Sequence, residues 1–214
     1  MKQQTTLLLL TLCAIGISGC SSTAKQTSIS ADKARQLAQQ HIIIDTHIDV
    51  PYRLHKDWED VSVATKRGEF DYPRARQGGL NAPFMSIYIP ASYERTGGGY
   101  QLANQLIDSM EALVGRAPGK FAMAHSTADV MSQFGSGKIS LALGMENGTP
   151  IEGKLENLQH FYDRGIRYIT LSHSESNHIA DSSYDLRRRW HGFVYIMGTY
   201  FICVTPFKKN QVTR

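Results

Sequence analysis

Short apolar, β-branched runs alternate with helix-length stretches along most of this 214-residue chain, and that alternation sharply limits the folds open to it. The first run, His41-Ile42-Ile43-Ile44-Asp45, reads as a buried first strand. A second strand is predicted from Ala82 to Ile89, closed by Pro90, a third from Lys138 to Met145 and a fourth from Ile166 to Ser172. Between them lie helical signals. Ser30 is placed to cap a helix over Ala31 to Gln40, and Tyr72 to Gln77 reads as a short helix stopped by Gly78-Gly79. After the loop Gly97-Gly98-Gly99, the residues Leu102, Leu106, Ile107, Met110 and Leu113 recur at helical spacing. Ser126 starts another short helix that ends near Gly135, and Leu155, Leu158, Phe161 and Tyr162 stripe a later one closed by Gly165. Strands separated by helices imply βα units and a parallel sheet, hence an α/β fold.

Composition removes several alternatives. With 42% apolar and 20% charged residues, 18 Gly and 7 Pro, the chain is neither disordered, collagen-like nor a coiled coil. Its net charge of +4 includes no long run of like charges, so nucleic acid is not indicated as a partner. Three cysteines, Cys13, Cys20 and Cys203, are too few for a disulfide framework. No apolar run reaches the roughly 18 residues a membrane-spanning helix needs. Neither a serine nucleophile elbow nor a phosphate-cradling glycine loop is present, which weakens serine-hydrolase and nucleotide-binding readings.

The first twenty residues read as a targeting segment. Lys2 precedes the mostly apolar run Leu7 to Ile17, and Ser18-Gly19 leads into Cys20. The quartet Ile17-Ser18-Gly19-Cys20 resembles a bacterial lipoprotein signal in which Cys20 becomes the lipidated N-terminus; a plain secretory signal is the alternative. This divides the chain into a signal at 1–19, a polar tether at 20–29 and a folded part from residue 30. The acyl chains would hold the protein to a membrane without spanning it, on the bacterial cell envelope, at the outer membrane or the periplasmic face.

Titratable groups stand where the predicted strands end, the position at which (β/α) barrels carry their chemistry. Strand one ends in Asp45-Thr46-His47-Ile48-Asp49, and two residues of extended chain turn His47 and Asp49 the same way. An imidazole and a carboxylate side by side suit a divalent transition metal such as Zn²⁺; a loop histidine beside a backbone-capping aspartate is the plainer alternative. Strand three runs into Glu146, whose two oxygens can bridge two metals, and strand four ends at His173.

Asp45-Thr46-His47-Ile48-Asp49-Val50-Pro51, Gly144-Met145-Glu146-Asn147-Gly148 and Gly165 to His173 follow the order and spacing of the membrane (renal-type) dipeptidase family. Gly78 to Ala82 and Asn177 to Trp190 resemble it too, so the likeness covers about residues 36 to 192. The resemblance implies a zinc metallopeptidase on a (β/α)₈ barrel of the TIM type, of which only about the first four βα units are present here. It implies that His47 and Asp49 bind a first zinc and that Glu146 bridges two. It further implies that His173 contacts a dipeptide substrate and stabilises the tetrahedral intermediate formed when the bridging water attacks. A tendency to form homodimers comes with it. Another amidohydrolase, such as a deaminase, is disfavoured because Asp49 stands where a second histidine would be expected.

The other histidines, His41, His55, His125, His160 and His178, are given surface or structural roles, and Cys203 is read as incidental rather than nucleophilic. After Trp190-His191-Gly192 the family pattern is lost: the further histidine ligands have no counterpart, and residues 186–214 hold six Lys or Arg but no Asp or Glu. Residues 193–214 are therefore expected to be an aberrant, out-of-frame tail after a frameshift or truncation near Gly192. Two readings result. One is a lipid-anchored zinc dipeptidase, competent only as a full-length product; the other is an inactive remnant or pseudoenzyme binding at most one metal. Half a barrel is also expected to leave the fourth strand with an unpaired edge.

Overall fold

The computed structural model describes residues 30–185 and the backbone of a strand at Phe201–Cys203. The signal, the tether with Cys20, and the remainder of the tail lie outside the described residues. Strands β1 (Ile43–Ile48), β2 (Leu80–Tyr88), β4 (Ile139–Glu146) and β5 (Ile166–Thr170) lie side by side in that order, all parallel. A three-residue strand, β3 (Phe121–Met123), pairs with the start of β4. The expected unpaired edge is not found: β6 (Phe201–Cys203) pairs antiparallel with β5, because an exposed row of backbone donors and acceptors recruits whatever extended segment can reach it.

The helices form where their local signals stand. Helix α1 (Ala31–Gln40) is capped by Ser30, whose side chain accepts from the Lys33 N–H. Helix α2 (Val50–Lys56) follows β1 directly, with Pro51 in its first turn, and had no counterpart in the predicted elements. Helix α3 (Tyr72–Gly78) is capped by Asp71 and closed by Gly79 at φ 85°, where a Cβ would run into the Ala38 carbonyl of α1. After the single turn α4 (Tyr93–Thr96), helix α5 (Gly99–Arg116) buries its predicted stripe of Leu102, Leu106, Ile107, Met110 and Leu113. Helix α6 (Thr127–Gln133) is capped by Ser126, and α7 (Leu155–Asp163) buries Phe161 while Leu155, at its first residue, stays exposed.

Strand alternation sorts the sheet's two faces. Met85, Ile87 and Ile89 around β2, with Ile139, Leu141, Leu143 and Met145 of β4, join the α5 stripe in one apolar core. The intervening positions, Phe84, Ser86 and Tyr88 with Gly144 and Glu146, turn to the opposite face. The first strand departs from expectation. It was read as buried, yet β1 is largely exposed, with Ile44 53% accessible, because β2 is its only strand neighbour among the described residues and little covers its other side.

Candidate metal centre at the strand ends

His47 sits near the end of β1 and Asp49 at the junction with α2. Asp45 Oδ1 accepts from the His47 backbone N–H at 2.9 Å and so fixes the strand end. Asp49 occupies the N-cap position of α2 without using its side chain as a cap, which leaves its carboxylate free to face His47, Nε2 to Oδ1 3.4 Å. Glu146 closes β4, in register with Tyr88 of β2 and Thr170 of β5. Its Oε2 lies 3.1 Å from His47 Nε2 and accepts from Ser86 Oγ at 3.0 Å, and its Oε1 lies 3.1 Å from His173 Nε2. One carboxylate thus joins two imidazoles supplied by strands on either side of it.

The charges reinforce one another. Burial works to raise the Glu146 carboxyl, but hydrogen bonds from His173, His47 and Ser86 outweigh it and hold the group far below the usual carboxylate range. The hydrogen bond to Glu146 raises both His47 and His173 above the ordinary imidazole value, against the opposing effect of burial. The ionised carboxylate and two imidazoles with raised proton affinity stabilise each other.

Donor chemistry tests whether the residues fit a metal. His47, Asp49 and Glu146 each bring one ligand atom within 4.8 Å of the others, the one such group of three among the described residues. One imidazole nitrogen with two carboxylate oxygens is a donor set that Zn²⁺ and neighbouring divalent ions accept; Glu146 is already ionised, and only His47 has to give up its Nε2 proton. The residues fit. His173 stands beside this trio, its ring edge-on to Tyr88 at 5.2 Å between centroids; its Nδ1 is buried and has no hydrogen-bond partner among the described residues.

The structure also brings in residues that sequence reasoning passed over. Ser86 is a small hydroxyl buried between Met85 and Ile87 near the end of β2, a signal that pointed to a polar partner across the sheet. Tyr168 of β5 reaches His47 Nδ1 at 3.0 Å and donates to the Thr46 carbonyl at 3.1 Å. Asn147, at φ 81°, turns the chain sharply after Glu146: its N–H lies 2.8 Å from Thr170 Oγ1, its amide donates to the Ile89 carbonyl, and its Oδ1 accepts from Asn177. His178 keeps a structural role, since its backbone N–H and Nδ1 both meet Glu94.

Residues 31–196 match the family described as membrane dipeptidase (peptidase family M19), a match that continues past Gly192. An uncharacterized dipeptidase of Schizosaccharomyces pombe is 28% identical over 172 residues, covering 73% of this chain and 42% of that protein. Among solved structures, the probable dipeptidase PvdM from Pseudomonas aeruginosa superposes with a TM-score of 0.63 at 22% identity, over 73% of this chain and 42% of that one. A metallo peptidase from Rhodobacter sphaeroides, liganded with a phosphinate mimic of the dipeptide L-Ala-D-Ala, gives 0.56 at 21%, over 64% and 46%. At these identities the structural likeness speaks to the fold, which is the TIM-barrel-type metallohydrolase fold, represented here by its first βα units. The chain spans about two fifths of the length of the curated relatives it matches.

Proposed function

The chain belongs to the membrane dipeptidase family, and from that premise we propose that it serves a zinc-dependent dipeptidase, with His47, Asp49 and Glu146 as the metal-holding residues. The observation that carries this reading is the convergence of those three donors from two separate strand ends within 4.8 Å. When bound, a divalent ion at such a site supplies Lewis-acid polarisation and lowers the pKa of a coordinated water. The chain's own residues do the rest. Ser86 and His173 hold the Glu146 carboxylate by its two oxygens and keep it ionised. His173, its ring set against Tyr88 and its Nδ1 buried, turns its Nε2 proton from Glu146 to a substrate carbonyl oxygen brought beside it and stabilises the negative charge that develops there. The neighbour bound to a dipeptide mimic supports L-Ala-D-Ala as the first substrate to try. In this reading Cys20 carries the lipid anchor, and labelled fatty acid incorporates into the chain but not into its Cys20→Ser variant.

A second reading is favoured by coverage: the chain matches about two fifths of its relatives, and its described residues gather one three-donor group. In that reading the chain alone binds at most one metal and turns over no dipeptide. Zinc titration of the 214-residue chain, with L-Ala-L-Ala and L-Ala-D-Ala hydrolysis measured on the same sample, separates the two. Two zinc ions with turnover support the dipeptidase acting as it stands; one ion without turnover supports the inactive remnant. Zinc that binds equally well to the His47→Ala variant would remove the assigned donors from either.

A further inference from the structure

Tyr168 is 7% exposed, and its ring lies across the site face of the sheet from β5 toward β1. It passes over Gly144 of β4, where a side chain cannot be accommodated: a Cβ built there would fall well inside van der Waals distance of the Tyr168 ring carbons. Gly144 is not in a left-handed conformation, so space rather than backbone freedom explains the glycine. Phe84 of β2 flanks the same ring at 5.3 Å between centroids. The phenol thus crosses two intervening strands to end against the one strand whose packing is thin.

At its far end the hydroxyl meets two groups, the Thr46 carbonyl and His47 Nδ1. A carbonyl only accepts, and the phenol has one proton. Both contacts are satisfied together only if Tyr168 donates to Thr46 and His47 donates its Nδ1 proton to Tyr168. Once Nε2 gives up the proton it shares with Glu146, its lone pair faces the Asp49 and Glu146 oxygens.

We propose that Tyr168, seated over Gly144, is a positioning residue that holds His47 in the Nδ1–H tautomer with Nε2 aimed at the metal site. The inference rests on the reading of His47 as a metal donor, and its test separates the two.

The probe is Zn²⁺, titrated into the full chain against a competing chelator, with nitrogen-15 spectra of the histidine rings recorded on the zinc-loaded sample. In the unsubstituted chain His47 binds through Nε2 and keeps a slowly exchanging Nδ1 proton. Tyr168→Phe, which preserves the ring and removes the hydroxyl, weakens zinc binding by about 10- to 100-fold and exposes that proton to rapid exchange. Gly144→Ala, which displaces the ring without touching any donor, shifts both readouts in the same direction. Zinc bound through Nδ1, or a Tyr168→Phe variant with unchanged affinity and unchanged exchange, overturns the proposal. The spectrum of the unsubstituted chain decides even if both variants fail to fold. If zinc leaves the His47 resonances untouched, the metal-donor reading falls first and takes this one with it.

Discussion

Two strands of one sheet deliver the candidate metal donors under opposite conditions. Every residue of β4 is buried except its last, Glu146, and the strand has partners on both edges. In β1 no residue is fully buried, and its one strand partner among the described residues is β2. Glu146 is therefore placed by packing: the strand that ends in it is locked into the core, and Asn147, Thr170 and Ser86 fasten the residue itself. His47 has no such bed. A few polar contacts place it instead, from Asp45 to its backbone and from Tyr168 to its ring, while Asn81 holds the strand's entry through the Ile43 N–H. The contrast teaches that a site can share its geometry between a part held by the hydrophobic effect and a part held by directional bonds. The two should respond differently to mutation.

The largest expected effect lies in β4. Leu143→Ala empties part of a fully buried site and should cost about 2–5 kcal/mol in urea unfolding of the metal-free chain. A cost as small as that expected for β1 would break the comparison. Asn147→Ala should cost about 1–3 kcal/mol, because it removes the side-chain donor to the buried Ile89 carbonyl and one of the two acceptors of the Asn177 amide. Asn147→Gly, which suits the positive φ, should recover the strain but not those bonds, so it falls between the wild type and the alanine variant.

A smaller effect should follow pH, with both strands contributing. The histidines have raised proton affinity, so their stabilisation is complete below 6.5 and is lost as pH rises through the raised values. Glu146 is lowered, so its share is present above 4.5 and is lost only as pH falls through the depressed value. The metal-free chain should accordingly gain least from this cluster at alkaline pH, where zinc binding, no longer competing with protons, becomes tightest. Glu146→Gln should flatten the alkaline loss; a slope that survives in this variant would place its origin elsewhere. The smallest effect belongs to Ile44→Thr on the open face of β1, expected within about 0.5 kcal/mol, again by urea unfolding.

Much of this was legible before any coordinates. The α5 stripe and the Ser30 and Ser126 caps are local signals, and local signals survive folding. Helix α2 escaped because a Val-Pro pair after a strand reads as a turn, although proline in a first helical turn sacrifices no hydrogen bond. Three-residue β3 is too short to show any period. The His47–Asp49 pair, Glu146 and His173 were found at three separate strand ends, as titratable groups just past apolar runs.

The sequence by itself determined that strands and helices alternate, and that titratable groups stand at the strand ends, because both follow from periodicity and chain order. Only the tertiary structure decided which strand is thinly covered, since exposure depends on neighbours distant along the chain. It also decided that one carboxylate joins two histidines and that Tyr168 crosses over Gly144 to reach β1. Those contacts span from 24 to 121 residues of chain, and register between strands is set by the packing of the whole sheet.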